Sequence, residues 1–156
     1  MSQLKVGYAP QAKQSWINDT LENTRRRSIA ALEALGVEVV AGPVLTSDAE
    51  AEELAAEFRR QDVDVMVVHF LTFSLGSMTP LLAHRVGVPV ILWGMPEPPF
   101  DGGRIKSNSF CAVNMNAHAL RKLGHPYSFV YGIPDAIAAD MSRQFRVTAC
   151  IKRPRT

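Results

Sequence analysis

The sequence predicts an α/β domain, a three-layer sandwich with helices on both faces of a five-stranded parallel sheet. Three observations carry that expectation. Short apolar runs of β type alternate with longer stretches of helical period, and the alternation repeats five times in 156 residues. The third run, VDVMVVH from Val63 to His69, is mostly apolar on both faces, as a strand covered from both sides must be. Glycines that close helices, Gly36 and Gly124, stand where the first and fourth helical stretches should stop.

Each element has its own signal. LKVGY, Leu4 to Tyr8, reads as the first strand, and Asp19 to Leu35 as the helix after it. VEVVA, Val37 to Ala41, is the second strand, punctuated by Gly42-Pro43. Ser47 and Glu50 have capping-box spacing, in which each side chain satisfies a free backbone N–H of the first turn. Ala51, Leu54, Ala55 and Phe58 then form one apolar stripe. Leu75, Met78, Leu81 and Leu82 indicate a third helix containing Pro80, either capped by Thr79 with Pro80 at its first position or longer and kinked. VPVIL, Val88 to Leu92, is the fourth strand, and Phe110, Val113, Ala117 and Leu120 mark the fourth helix. Tyr127 to Tyr131 is the fifth strand, and Pro134 opens a last helix carrying Ile137, Met141 and Phe145. For five such units in series the expected strand order is 2-1-3-4-5, the flavodoxin-like arrangement, with right-handed crossovers. Residues 1–151 read as one domain, and the basic, proline-containing 152–156 as the start of a linker.

Composition narrows the function classes. Apolar residues make up 47% and charged residues 21%, which excludes disorder and fibrous repeats. Seventeen Lys and Arg stand against fifteen Asp and Glu, and the net +2 is too small to predict a nucleic-acid partner. Arg25, Arg26 and Arg27 point three ways around a helix and read as a solvated face. MSQLKVGYAP lacks the apolar core of a signal peptide, and no stretch approaches the roughly 20 apolar residues of a membrane helix. Cys111 and Cys150 have no metal-ligand spacing, and two cysteines suit a reducing compartment. The expected setting is the cytoplasm, without a membrane partner.

Ligands of open α/β sheets bind beyond the carboxyl ends of the strands. Here that edge comprises Ala9 to Trp16, His69 to Ser74, Trp93 to Ser107 and the segment from Gly132 onward. The third of these, within WGMPEPPFDGGRIKSNSF, is unusually long for a connection in a compact domain and therefore suits binding or assembly; a solvated loop is the alternative. Its Glu97, Asp101, Arg104 and Lys106 beside Trp93 and Phe100 would suit a polyhydroxylated ligand. Phosphate-binding glycine motifs are absent, since GYAPQAKQ ends the first strand, and a phosphorelay carboxylate is missing where His69 stands. No pair of histidines has helical ligand spacing, no G-x-S-x-G occurs, and neither cysteine has an activating context. His69 is the histidine best placed for function, with a structural, hydrogen-bonded role as the alternative. His84 and His125 read as structural or incidental, while His118, one turn after Asn114, belongs to a polar stripe that lines a cleft or faces solvent.

One stretch carries more than fold. WGMPEPPFDGGRIKSNSFCAVNMNAHALRKLG, Trp93 to Gly124, resembles the corresponding part of L-fucose isomerase-like proteins, the family of the L-fucose and L-arabinose isomerases. KVGYAPQAKQSW and VMVVHFLTFSLGSM fit the same N-terminal domain, so the resemblance spans essentially the whole chain. It implies the flavodoxin-like N-terminal domain of a longer enzyme that interconverts aldoses and ketoses through an enediol. That enzyme would use a divalent metal, usually manganese, held by later domains. It further implies a homo-oligomer in which this domain makes subunit contacts, packs with its own C-terminal domains and helps form a neighbouring subunit's sugar pocket. Gln11 and Trp93 match positions near the sugar, His118 matches a histidine of the arabinose-isomerase branch more loosely, and His69 and Phe70 fall on the same edge by topology. The resemblance assigns this segment no catalytic residue and no metal ligand, so alone it should not isomerise sugars. The alternatives are a stand-alone small-molecule binding module and a purely structural assembly module.

Overall fold

A computed structural model describes residues 3–151; the linker expected at 152–156 lies outside them. Five strands, β1 (Lys5–Gln11), β2 (Glu38–Ala41), β3 (Val65–Phe70), β4 (Val90–Gly94) and β5 (Tyr127–Tyr131), form one sheet in the order 2-1-3-4-5. All four neighbouring pairs are parallel. Five helices connect and follow them: α1 (Asp19–Glu33), α2 (Asp48–Arg60), α3 (Met78–Val86), α4 (Ser109–Lys122) and α5 (Ala138–Ile151). The predicted fold class and strand order are those observed.

Strand alternation divides the core in two. Met66, Val68, Phe70, Val90 and Leu92 face α2, α3 and α4, where Leu54, Phe58, Met78, Leu82 and Val113 meet them. Val6, Tyr8, Val65, Val67, Ile91 and Trp93 face α1 and α5, packing on Leu32, Met141 and Phe145. Gly7 is required by the first layer, because a Cβ there would stand 2.9 Å from the Phe58 ring.

The helix starts follow local chemistry. Ser47 and Glu50 form the predicted capping box, and the Glu50 carboxyl is held below its usual range chiefly by the backbone N–H of Thr46. Asn18 caps α1 by accepting from the Thr20 backbone at 3.0 Å. The third helix departs from both expectations: it runs from Met78 with Ser77 at the cap, and Pro80 falls third. A proline there costs nothing, since first-turn N–H groups have no partner inside a helix. β1 also runs three residues past its expected end. Pro10 is tolerated because its missing N–H would face the β2 side, where β2 has already ended and the next contact is Leu45 N–H donating to the Pro10 carbonyl at 2.8 Å. β4 likewise continues through Trp93 to Gly94. No described helix is long and apolar enough to cross a membrane.

Candidate functional site

The carboxyl ends of β1, β3, β4 and β5 surround an open cleft of about 1050 Å³. Leu21 of α1, Leu71 and Thr72 after β3, and Met95 after β4 line its inner part. One wall is the start of α1 with Trp16, Asn18 and Thr20, continued by Thr24 and Arg27. The other is the long loop, through Pro96 to Pro99 and Arg104 to Ser107, and Ile133-Pro134 closes one end.

The long loop is fastened to the sheet. Glu97 reaches across it to accept from the backbone N–H groups of Lys106, Ser107 (3.0 Å) and Asn108 (2.8 Å) and from the Ser107 hydroxyl (2.8 Å). Burial alone would raise this carboxyl, but the backbone donors outweigh it and hold the group below its usual range, so it stays charged at neutral pH. Behind it, the Ser109 hydroxyl donates to the Phe70 carbonyl at 2.6 Å and accepts from Met95 N–H at 2.9 Å. That single hydroxyl joins the ends of β3 and β4 to the start of α4. The loop tip is open, with Phe100 83% exposed and Ile105 60% on either side of Asp101 and Arg104.

Among the described residues, Arg27, Arg104 and Lys106 line the cleft against two carboxylates, Asp19 and Glu97. Arg27 pairs with Asp135 and Lys106 with Asp101, and the Glu97 carboxylate is taken up by its four donors. Arg104 has no acidic partner among the described residues. Beside the cleft, the Lys13 ammonium stands 5.8 Å from the Trp16 ring centroid, and Lys13 N–H donates to Thr72 Oγ1 at 2.9 Å, tying the loop after β1 to the loop after β3.

Four of the five residues nominated from sequence sit beneath this surface. Gln11, His69, Phe70 and Trp93 are all fully buried. Gln11 donates to Thr79 Oγ1 at 3.0 Å and accepts from the Ser74 hydroxyl at 2.6 Å, which fixes the turn into α3. The His69 ring stacks on Trp93 with centroids 3.9 Å apart and 7° between planes, and its Nδ1 shares a 2.8 Å hydrogen bond with the Tyr8 hydroxyl. Burial pulls the His69 pKa down to about 3, so the ring is neutral; burial also raises that of Tyr8. Trp93 Nε1 donates to the Gly132 carbonyl at 2.9 Å. Phe70 belongs to the layer under α2, α3 and α4. His118 is exposed on α4 and does not line the cleft. His125 is structural, its Nε2 lying 2.7 Å from the Val88 carbonyl. Trp16 and Thr72 lie within the edge segments but carry no individual signal in the sequence, since neither has a motif around it.

The family described as fucose/sulfoquinovose isomerase, N-terminal domain, matches residues 7–153. The chain belongs to that family. A sulfoquinovose isomerase from Alkalicoccus urumqiensis is 30% identical to it over 152 residues, 96% of this chain and 34% of the relative. One from Priestia aryabhattai is 28% identical over 155 residues, 97% and 34%. One from Clostridium sp. (strain MSTE9) is 26% identical over 136 residues, 86% and 30%. The chain thus spans about a third of the length of these curated relatives. Within the domain, no three His, Cys, Asp or Glu side chains come together among the described residues as a metal site would need.

Proposed function

We propose that this chain acts as the N-terminal domain of a divalent-metal-dependent aldose–ketose isomerase, making subunit contacts and closing part of a neighbouring subunit's sugar pocket. The observation that carries the reading is the family match along residues 7–153, with the cleft at the sheet's carboxyl edge in support. In this reading residues 1–151 form the domain, a linker begins at 152, and manganese and the groups that move protons belong to later domains.

The work of this chain is to bind, orient and exclude water. The Trp16 ring and the Pro96–Pro99 row offer flat surfaces to the C–H faces of a sugar, and the exposed Asn18 and Thr20 offer partners to its hydroxyls. Arg104 would meet an anionic substituent, which supports a sulfonated sugar such as sulfoquinovose over a neutral one. Gln11, His69, Phe70 and Trp93 would hold the wall in shape from behind. The exposed Phe100 tip suits contact with a neighbouring subunit. Two exposed free cysteines, Cys111 and Cys150, support a reducing, cytoplasmic setting.

The test is an isomerisation assay on the full-length protein with sulfoquinovose and L-fucose, after chelation and after manganese is restored. Activity that returns with manganese is expected, together with an Arg104→Ala variant whose KM rises about tenfold or more for the sulfonated sugar and little for the neutral one. Metal-independent turnover, or no turnover of any aldose, would sink the reading. The cleft is formed within a single chain, which favours one competitor, a binding module without catalysis. That competitor predicts saturable sugar binding by the 156-residue chain itself in calorimetry.

A further inference from the structure

The two edges of the sheet are built differently. β2, at one edge, is four residues long, carries Glu38 paired with Lys5 at 3.5 Å, and runs into Gly42-Pro43, all devices that discourage further pairing. β5, at the other, pairs among the described strands with β4 alone and reads Tyr-Ser-Phe-Val-Tyr with no charge. Val130 is buried on the α5 side, whereas Tyr127, Phe129 and Tyr131 are 36%, 58% and 44% exposed on the other. A groove of about 510 Å³ runs along this edge, lined by Phe110, Val113 and Ala117 of α4 and reaching Gln144 of α5. Phe110, itself half exposed, packs edge-on against Tyr131 with centroids 5.7 Å apart. On α5, Val147 and Ile151 lie one and two turns beyond Gln144 and are also exposed.

We infer that the free edge of β5 is a self-complementary face on which a second copy of this chain pairs antiparallel, Phe129 opposite its counterpart. The strand has the symmetry such an interface requires. A two-fold axis through Phe129 sets Tyr127 opposite the second copy's Tyr131 and Ser128 opposite its Val130, so like faces meet and no charge is buried. The sheet would continue across ten strands, with an aromatic row bordered by Phe110 from each copy. The six exposed side chains Phe110, Tyr127, Phe129, Tyr131, Val147 and Ile151 present on the order of 600 Å² per chain, so pairing that covered them fully would bury up to about 1,200 Å², the lower end for a stable specific interface. This assigns a surface to the assembly part of the proposal above and is independent of its sugar chemistry.

Cysteine pairing reads the register directly. In a background of Cys111→Ser and Cys150→Ser, a Phe129→Cys chain should form a covalent dimer on mild oxidation, because opposed antiparallel Cα atoms lie about 4.5–5.5 Å apart, within disulfide reach. Tyr127→Cys and Tyr131→Cys should remain single when oxidised separately and cross-link when mixed, while Glu38→Cys on β2 should do neither. Sedimentation should show a dimer for the unaltered chain at tens of micromolar and a monomer for Phe129→Lys. A Phe129→Cys chain that stays single, or a Tyr127→Cys chain that links to itself as readily as to Tyr131→Cys, would overturn the inference. So would a monomeric unaltered chain, and the edge would then belong to another partner. None of these results touches the isomerase reading, which the activity assay decides.

Discussion

The buried layer under the cleft and the rim around it lie a few residues apart in sequence and differ in almost every physical respect. Gln11, His69 and Trp93 are without exposed surface; Gln11 and Trp93 spend their polar atoms on the protein's own groups, while His69 shares its Nδ1 with Tyr8 and keeps a buried Nε2 with no partner among the described residues. Trp16 at the end of a 3-10 turn, Thr20 on the first turn of α1 and Arg104 on the long loop stand at the cleft, the last with no acidic partner among the described residues. A buried residue at a strand end therefore shapes the cleft from beneath. The substitutions that separate these roles should fall on different observables, folding for the layer beneath and ligand affinity for the rim.

The sharpest break is expected at Trp93→Ala. It removes the largest buried side chain, the ring that His69 stacks on and the donor to Gly132, and should cost about 3–5 kcal/mol in urea unfolding. A loss under about 1 kcal/mol would show that Trp93 belongs with the rim.

His69 comes next and appears in the pH dependence. Its folded pKa of about 3 lies below the ordinary value near 6.5, so the unfolded chain takes up the proton first. Stability from this group is complete above about pH 6.5 and is lost as pH falls toward 3, with a slope no steeper than about 1.4 kcal/mol per pH unit, or about 2 kcal/mol between pH 6.5 and 5. His69→Phe keeps a flat ring against Trp93 and should remove that part of the slope. An unchanged slope would assign it to other groups.

Glu97→Gln is expected to cost about 1–2 kcal/mol, because an amide cannot accept from every donor that now converges on the carboxylate. The loss should appear as faster hydrogen exchange at Ser107 and Asn108, with protection in β3 unchanged. The smallest effect belongs to Arg104→Ala. Unfolding should shift by less than about 0.5 kcal/mol, and only ligand binding should weaken.

The sequence carries the fold because the fold depends on periodicity. The capping box at Ser47 and Glu50, the apolar run of β3 and the closing glycines each report on their own neighbours, and the five units and their order emerge from them. It carries the site only as far as segments. The resemblance sets Trp93 and Gln11 near a sugar, and the apolar runs read as ending before them, yet both strands continue through them and strand alternation turns both side chains inward. Pro10 has the appearance of a strand end, and the fact that its N–H side faces the space beyond β2 depends on register, which no local pattern reports. Glu97 fastens residues nine to eleven positions away, a contact set by the path of the loop and not by spacing on any regular element. The long loop itself is legible, since its prolines, its Gly102-Gly103 pair and its length all set it apart.

The Glu97 latch has a consequence for how a ligand arrives. A loop already tied at Lys106, Ser107 and Asn108 has little freedom left to surrender when the cleft fills. Association should then proceed without a slow ordering phase, at a rate set by encounter and by the field of Arg104, and so fall as salt is raised. On the function proposed above, selectivity among sugars would be expressed mainly in how long each one stays.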